Sequence, residues 1–369
     1  MNGHFVELES LEGKSAIVAM SGGVDSAVAA LICQQAGLRI IGLTMKNYCY
    51  GDTDVPDRSC CSVEAIADAR RECDRLGIPH QIADVEEFFD QQVIDNFLSE
   101  YEHARTPNPC VRCNSIVRFQ TLIDYADKLG VDYVATGHYA RVFRTPSGRR
   151  YLARSTNRQK DQSYFLSGVH GETLERVLFP LGNYDKSTVR QVAGESSMDV
   201  ADKKESQEVC FVPDGTLRSF LESRDVPLDS GDIESVSGEL LGSHDGLASY
   251  TVGQRRGLRI ATGEPQYVVE LDRERNVLVV GSVDALVSNE LFCRFAWVDD
   301  NVLEEPPSLT ARIRYRHAGA PVASIERRGD NGRVEFSEPQ RAVSPGQTVV
   351  LYHGDVVVGS GIINGAGSQ

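Results

Sequence analysis

The stretch Ala16-Ile17-Val18-Ala19-Met20-Ser21-Gly22-Gly23-Val24-Asp25-Ser26 constrains this chain more than any other. Ile17 and Val18 are β-branched strand formers, and Ser21-Gly22-Gly23 breaks the strand. From Ser26 the run Ala27-Val28-Ala29-Ala30-Leu31-Ile32 favours helix, with Gly37 as its C-terminal stop. Paired glycines let backbone N–H groups approach a ligand, and the start of a helix favours an anion. A plain strand-to-helix turn needs one glycine. Two glycines flanked by serines and an Asp read as a phosphate site. No Lys-Ser or Lys-Thr follows, which separates this loop from the Walker type.

The rest of the N-terminal half repeats the strand–helix alternation. Residues 39–45 form a second apolar strand, followed by a polar loop over 46–61 and the helix 63–76, whose Ala65, Ile66, Ala69 and Cys73 share a face. A third strand over 78–85, helices over 86–101 and 122–129, and a fourth strand over 131–136 complete the pattern. It predicts an α/β fold with a doubly wound parallel sheet, its ligand crevice at the strand ends. A hairpin over 142–154 and short helices over 172–177 and 188–194 follow, the second with Ser187 as N-cap. Beyond about residue 211, turns such as Asp245-Gly246, Asp330-Asn331-Gly332 and His353-Gly354-Asp355 separate short alternating runs over 267–270, 277–280, 333–336 and 348–352. That cadence predicts two small β-rich units, the last a barrel.

With 369 residues the chain exceeds one typical core, and two or three domains are expected. We place them at 1–210, 211–283 and 284–369. No apolar run is long enough to cross a membrane, and no secretory signal opens the chain. Nine cysteines, an odd number, argue for a reducing cytoplasm rather than a disulfide scaffold. A net charge of -15 argues against indiscriminate nucleic-acid binding, although a local basic cluster still permits RNA.

The cysteines divide by context. Cys33 and Cys73 fall on apolar helix faces and Cys293 lies beside Phe292 and Phe295, which marks them as inert core thiols. Cys113, in Arg105-Thr106-Pro107-Asn108-Pro109-Cys110-Val111-Arg112-Cys113-Asn114, lies near a helix start and beside Arg112, conditions that favour thiolate. Cys210, at the end of Lys203-Lys204-Glu205-Ser206-Gln207-Glu208-Val209-Cys210, is again a loop cysteine near basic residues. Cys110-x-x-Cys113 also has metal spacing: Cys60 and Cys61 could complete a zinc site, and Cys210 could be the third ligand of an iron–sulfur cluster.

SGGVDS resembles the pyrophosphate (PP) loop of ATP pyrophosphatases, enzymes that split ATP between its α- and β-phosphates. The resemblance implies that the loop holds the pyrophosphate portion, with Asp25 helping to hold Mg²⁺. Taken with Met45-Lys46-Asn47, TPNPxxxCN, ATGHYAR, KDQSYFL, SQEVCF, LASYTVGQRRGL, PQYVVELD, RIRYR and SPGQTVVLYHGDVVVGSGII, it extends over nearly the whole chain. In this order the motifs resemble the bacterial tRNA-uridine 2-sulfurtransferases, or tRNA-specific 2-thiouridylases. That family implies a PP-loop domain, a small central domain and a C-terminal β-barrel. It also implies adenylation of the C2 oxygen of the anticodon wobble uridine, then sulfur transfer to give 2-thiouridine.

By motif matching, Cys210 is the persulfide cysteine, loaded by an upstream sulfur-relay protein, and Cys113 is the nucleophile that helps release the sulfur. ATP contacts fall on Ala19, Met20, Ser21, Gly22, Gly23, Val24, Asp25, Ser26, Met45 and Gly137. tRNA contacts fall on Asn108, Pro109, Cys110, His138, Lys160, Asp161, Gln162, Arg314, Tyr315 and Gln347. Many family members carry an Asp where this chain has Cys110. The change removes an acid–base candidate and leaves Cys110, Cys113 and Cys210 as three thiolates able to hold a four-iron–four-sulfur cluster. Two rivals remain at this level. A different PP-loop adenylating enzyme leaves the paired loop cysteines without a role. A non-catalytic RNA-binding protein would hold a structural zinc at Cys60, Cys61, Cys110 and Cys113.

Overall fold

Ala16, Ile17 and Val18 are fully buried, so the strand that carries them, β1 (Ser15–Ala19), is covered on both faces. That is the condition of a central strand in a parallel sheet. The computed structural model describes residues 1, 3–48, 63–201, 203, 209–212, 217–304 and 308–367. The chain forms two compact units: Met1–Val93 with Cys110–Asp214 and Asp355–Val357, and Ile94–Pro109 with Gly215–Gly354 and Val358–Gln369.

In the first unit β1 leads through α1 (Val24–Gln35) to β2 (Arg39–Lys46), which pairs with it in parallel. β2 pairs in turn with β3 (His80–Asp84). The chain then returns to the far side of β1, where β4 (Tyr133–Ala135) pairs with it and β5 (Val177–Leu178) closes the edge. The sheet order β3-β2-β1-β4-β5 puts a topological switch point between β1 and β4, where open α/β sheets bind ligands. Two residues of β5 escape sequence reading because so short a run has no periodicity.

Several boundaries differ from expectation. The helix predicted over 86–101 is interrupted: Glu86–Phe89, a wide π turn Asp90–Ile94, then Asp95–Glu102. The helix predicted over 122–129 begins much earlier, as Pro109–Arg112, a second π turn Cys113–Arg118, then Phe119–Leu129. A proline is tolerated in the first helical turn, where its missing N–H costs nothing. Ser187 does not cap the helix Lys186–Glu195. The Asp185 carboxylate does, accepting from the Thr188 N–H at 2.7 Å and from the Ser187 hydroxyl at 2.7 Å. A carboxylate at a helix start gains the dipole energy that a serine cannot.

The second unit is β-rich. Gly231–Ser235, Leu240–His244, Tyr267–Asp272 and Val277–Gly281 form a four-stranded sheet around Ile233, Val268, Leu278 and Val280. Val287–Val298, Leu309–Arg312, Ala320–Arg328, Asn331–Arg341, Thr348–His353 and Val356–Ala366 form an antiparallel barrel, closed because the last strand pairs with both the first and the fifth. Closure removes the exposed edges of an open sheet. The turn expected at Asp330-Asn331-Gly332 lies one residue earlier, since Arg328 pairs with Asn331. Gly332 is needed within the strand, where a Cβ would lie 2.2 Å from the Phe295 ring.

Cys33, Cys73 and Cys293 are buried, and burial pushes each thiol up to about 12. They are inert, as expected. Cys60 and Cys61 lie outside the described residues. Ile17→Ala at the sheet centre should cost roughly 2–5 kcal/mol in chemical denaturation, whereas Val63→Ala, at an 86% exposed position, should stay within about 0.5 kcal/mol. Equal effects would contradict the placement of β1.

Candidate functional site

Gly22 adopts φ +67°, and a Cβ there would lie 2.2 Å from the Ala65 carbonyl oxygen. Only glycine meets both conditions. Ser26 fastens the turn: its hydroxyl donates to the Gly23 carbonyl at 2.9 Å and accepts from the Ser21 N–H at 3.2 Å. Gly23 then opens α1 without a side-chain cap, which leaves the first-turn N–H groups for an anion. On the other side of the switch point, a Cβ on Gly137 would lie 2.7 Å from the Asp25 carbonyl carbon and 2.8 Å from the Ser26 nitrogen. The loop following β4 therefore packs directly on the start of α1.

Between these backbones lies a cavity of about 300 Å³. Ala19, Met20, Ser21, Asp25, Ser26, Met45 and Gly137, all expected ATP contacts, line it. His138 and Gln162, expected to meet RNA, line the same cavity, together with Leu43, Asn47, Arg118 and Thr136, which the sequence did not single out for a role. Gly22, Gly23 and Val24 shape the turn instead of lining the space.

Arg118 donates to His138 Nε2 at 3.0 Å and to Asn114 Oδ1 at 2.8 Å. Because a guanidinium only donates, Nε2 is the acceptor, and the ring proton sits on Nδ1, facing Thr136 Oγ1 at 2.7 Å. Burial, with Arg118 beside it, pushes the His138 pKa down to about 3. The side chain is a neutral hydrogen-bonding group at physiological pH. Asn114 Nδ2 also donates to the Phe165 carbonyl at 3.1 Å. One amide thus joins the cysteine stretch, the KDQSYFL segment and the cavity wall.

Asp25 was expected to help hold Mg²⁺. Its carboxylate instead receives Lys186 Nζ at 2.7 and 2.8 Å and the Tyr139 hydroxyl at 2.8 Å. Lys186 lies 161 residues further along the chain, so no spacing within the loop reveals it. Among the described residues no group of three or more His, Cys, Asp or Glu side chains is placed to hold a metal ion, and Asp25 does not fit as a prebuilt magnesium ligand. The same holds for the cluster: Cys110 is exposed, Cys113 buried and Cys210 intermediate, and they form no such group.

Both cysteine stretches are nonetheless tied to the cradle through their neighbours. Cys113 adjoins Asn114 of the Arg118–His138 network. Lys203, ahead of Cys210, donates to the Gly22 carbonyl at 3.2 Å and pairs with Asp68. Phe211 packs edge-on against Phe89 at 5.8 Å, while Arg112 donates to the Gln92 carbonyl. The two stretches lean on one helical run.

Other expected RNA contacts have internal duties. Asp161 is buried, and its carboxylate accepts from the Ser155 and Ser163 N–H groups and the Ser163 hydroxyl. Lys160 is half-buried beside it, and Asn108 half-buried ahead of the buried Pro109. In the second unit Gln347 Nε2 donates to the Thr106 carbonyl at 2.9 Å. Arg314 is exposed and Tyr315 half-buried, on a loop held by Arg312, which donates to the His317 and Tyr315 carbonyls.

The neutral His138 has a consequence for stability. In the unfolded chain an imidazole protonates near its ordinary value of 6.5, so below that pH the unfolded state binds the extra proton. Stability should be complete above about pH 6.5 and fall as pH drops toward about 3. His138→Gln should flatten that part of the curve. Nitrogen-resolved NMR should find the folded ring neutral, its single proton on Nδ1, from roughly pH 5 to 8; a ring titrating near its ordinary value would contradict the network.

Comparison with known proteins extends beyond the cradle. Residues 14–214 match the family described as tRNA methyl transferase HUP domain, 218–282 its PRC-barrel domain and 291–363 the aminomethyltransferase β-barrel domain. The tRNA-specific 2-thiouridylase MnmA of Geobacter metallireducens is 45% identical over 359 residues, 96% of this chain and 97% of the relative. That of Halothermothrix orenii is 43% identical over 350 residues, 94% of this chain and 98% of the relative. That of Pelotomaculum thermopropionicum is 41% identical over 365 residues, 97% and 99% of the two chains. With three domain models matched in order and relatives 41–45% identical over 94–97% of its length, the chain belongs to the family of the tRNA-specific 2-thiouridylases.

Proposed function

We propose that the protein is an ATP-dependent sulfurtransferase that converts the wobble uridine of tRNA to 2-thiouridine, releasing AMP and pyrophosphate. One observation carries the reading most directly: the cavity at the switch point has an open helix start for phosphates on one side and, on the other, Arg118 bound to Asn114, the chain neighbour of Cys113.

A pyrimidine C2 oxygen is a poor leaving group. Its attack on the α-phosphorus expels pyrophosphate and makes it part of AMP, a stabilised anion. The terminal sulfur of a Cys210 persulfide then attacks C2 and AMP departs. Cys113 thiolate attacks the Cys210 sulfur, the sulfur stays on C2, and a Cys113–Cys210 disulfide remains for a cellular thiol to reduce. Arg118 supplies positive charge beside the cavity, and the neutral His138 holds that guanidinium in place without exchanging protons. Mg²⁺ would enter with the nucleotide phosphates, since Asp25 is occupied by Lys186.

Asn108, Pro109, Cys110, Lys160, Gln162, Arg314 and Tyr315 are the proposed tRNA contacts. The target base must leave its stack before C2 is accessible. Arg314 and Tyr315 pair charge with an aromatic face, as RNA contacts do. Asp161 and Gln347 support neighbouring loops. No described helix is long and apolar enough to cross a membrane. We place the work in the cytoplasm, where tRNA, ATP, reducing thiols and a persulfide-carrying relay protein coexist.

Incubation with ATP, unmodified tRNA and a sulfur source, followed by nucleoside analysis, should yield 2-thiouridine. Cys113→Ser and Cys210→Ser should each fall below roughly a thousandth of the wild-type rate; full activity in Cys210→Ser removes the persulfide scheme. Anaerobically purified enzyme that is colourless, iron-free and fully active excludes the cluster route. Activity that tracks iron content would replace the persulfide with cluster-bound sulfide.

A further inference from the structure

Residues two apart on a strand point to the same face, and Leu43, Met45 and Asn47, on β2 and just beyond it, all line the cavity. The first two make an apolar wall suited to a flat ring. The third is 4% exposed, yet its side-chain oxygen Oδ1 has no hydrogen-bond partner among the described residues. A buried acceptor left without a donor is costly, and folded proteins keep one chiefly where a ligand or water supplies the donor.

The chemistry of the cavity narrows that donor. Phosphates at neutral pH offer acceptors, and they belong at the Ser21–Ser26 turn with the open start of α1. The remaining donors of ATP are the ribose hydroxyls and the exocyclic amine of adenine. The amine lies on the edge of the ring that Leu43 and Met45 are shaped to face, and Asn47 continues that wall. We infer that Asn47 Oδ1 accepts a hydrogen bond from the adenine amine and makes the cavity selective for adenine nucleotides. This rests on the reading of the cavity as the ATP site and adds how the base is chosen.

The probes are ATP, the triphosphate of purine riboside (which lacks the amine) and 2′-deoxyATP, with dissociation constants measured by calorimetry in the absence of tRNA. Wild-type protein should bind ATP at least about tenfold more tightly than the purine analogue, because the analogue leaves the buried oxygen unpaired. Asn47→Leu, which removes the acceptor at similar volume, should bind the two within about twofold, and discrimination against 2′-deoxyATP should not change with it. Equal binding of ATP and the analogue by the wild type overturns the inference. So does an Asn47→Leu variant that keeps the discrimination, or one that loses it against 2′-deoxyATP instead. Wild-type protein that binds no nucleotide defeats the ATP-site reading itself, a result distinct from loss of base selectivity alone.

Discussion

The structure depends on two backbones meeting without side chains between them. Gly137, just past β4, abuts the Asp25–Ser26 peptide at the start of α1, and Gly22 abuts the Ala65 carbonyl. A methyl group at either position would push the elements apart. Because the contact is backbone on backbone, the helix start and the β4 edge are held at fixed separation, and the cavity between them has a set width. Fixed geometry of this kind lets N–H groups act on phosphates without reorganising first.

Around that contact, hydrogen bonds turn distant motifs into one wall. Asn114 reaches Phe165 and Arg118, Arg118 reaches His138, and His138 reaches Thr136. Tyr139 and Gln162 bind each other through two hydrogen bonds of 2.8 and 2.9 Å, and Tyr139 also donates to Asp25. A cysteine next to Asn114 therefore inherits its position from the nucleotide cavity. Buried polar networks of this kind are stable when every member is satisfied. Of the side chains that line the cavity, Asn47 differs: its buried oxygen has no partner among the described residues.

The turn Ser21–Ser26, the strand and helix on either side of it, and the inertness of Cys33, Cys73 and Cys293 are local properties, written in adjacent residues, and they are legible in the sequence. The helix Val63–Leu76 shows its bounds because its apolar face repeats with helical period. What the sequence hides is set by long-range packing. Lys186 on Asp25, Arg118 on His138 and Lys203 on Gly22 each join residues that no spacing rule connects. The two π turns are hidden as well, since one inserted residue leaves composition unchanged. Motif membership marks Asp161 and Gln347 for RNA, and it does not reveal that their polar atoms also bind neighbouring backbone.

In the proposed reaction the uracil oxygen leaves as part of AMP. A tRNA whose wobble uridine carries a heavy oxygen isotope at C2 tests this in a single turnover with unlabelled ATP. Mass analysis of the released nucleotide should find the heavy atom in the AMP phosphate, one per 2-thiouridine formed. Thiolation with unlabelled AMP, and the isotope recovered in water, would contradict it.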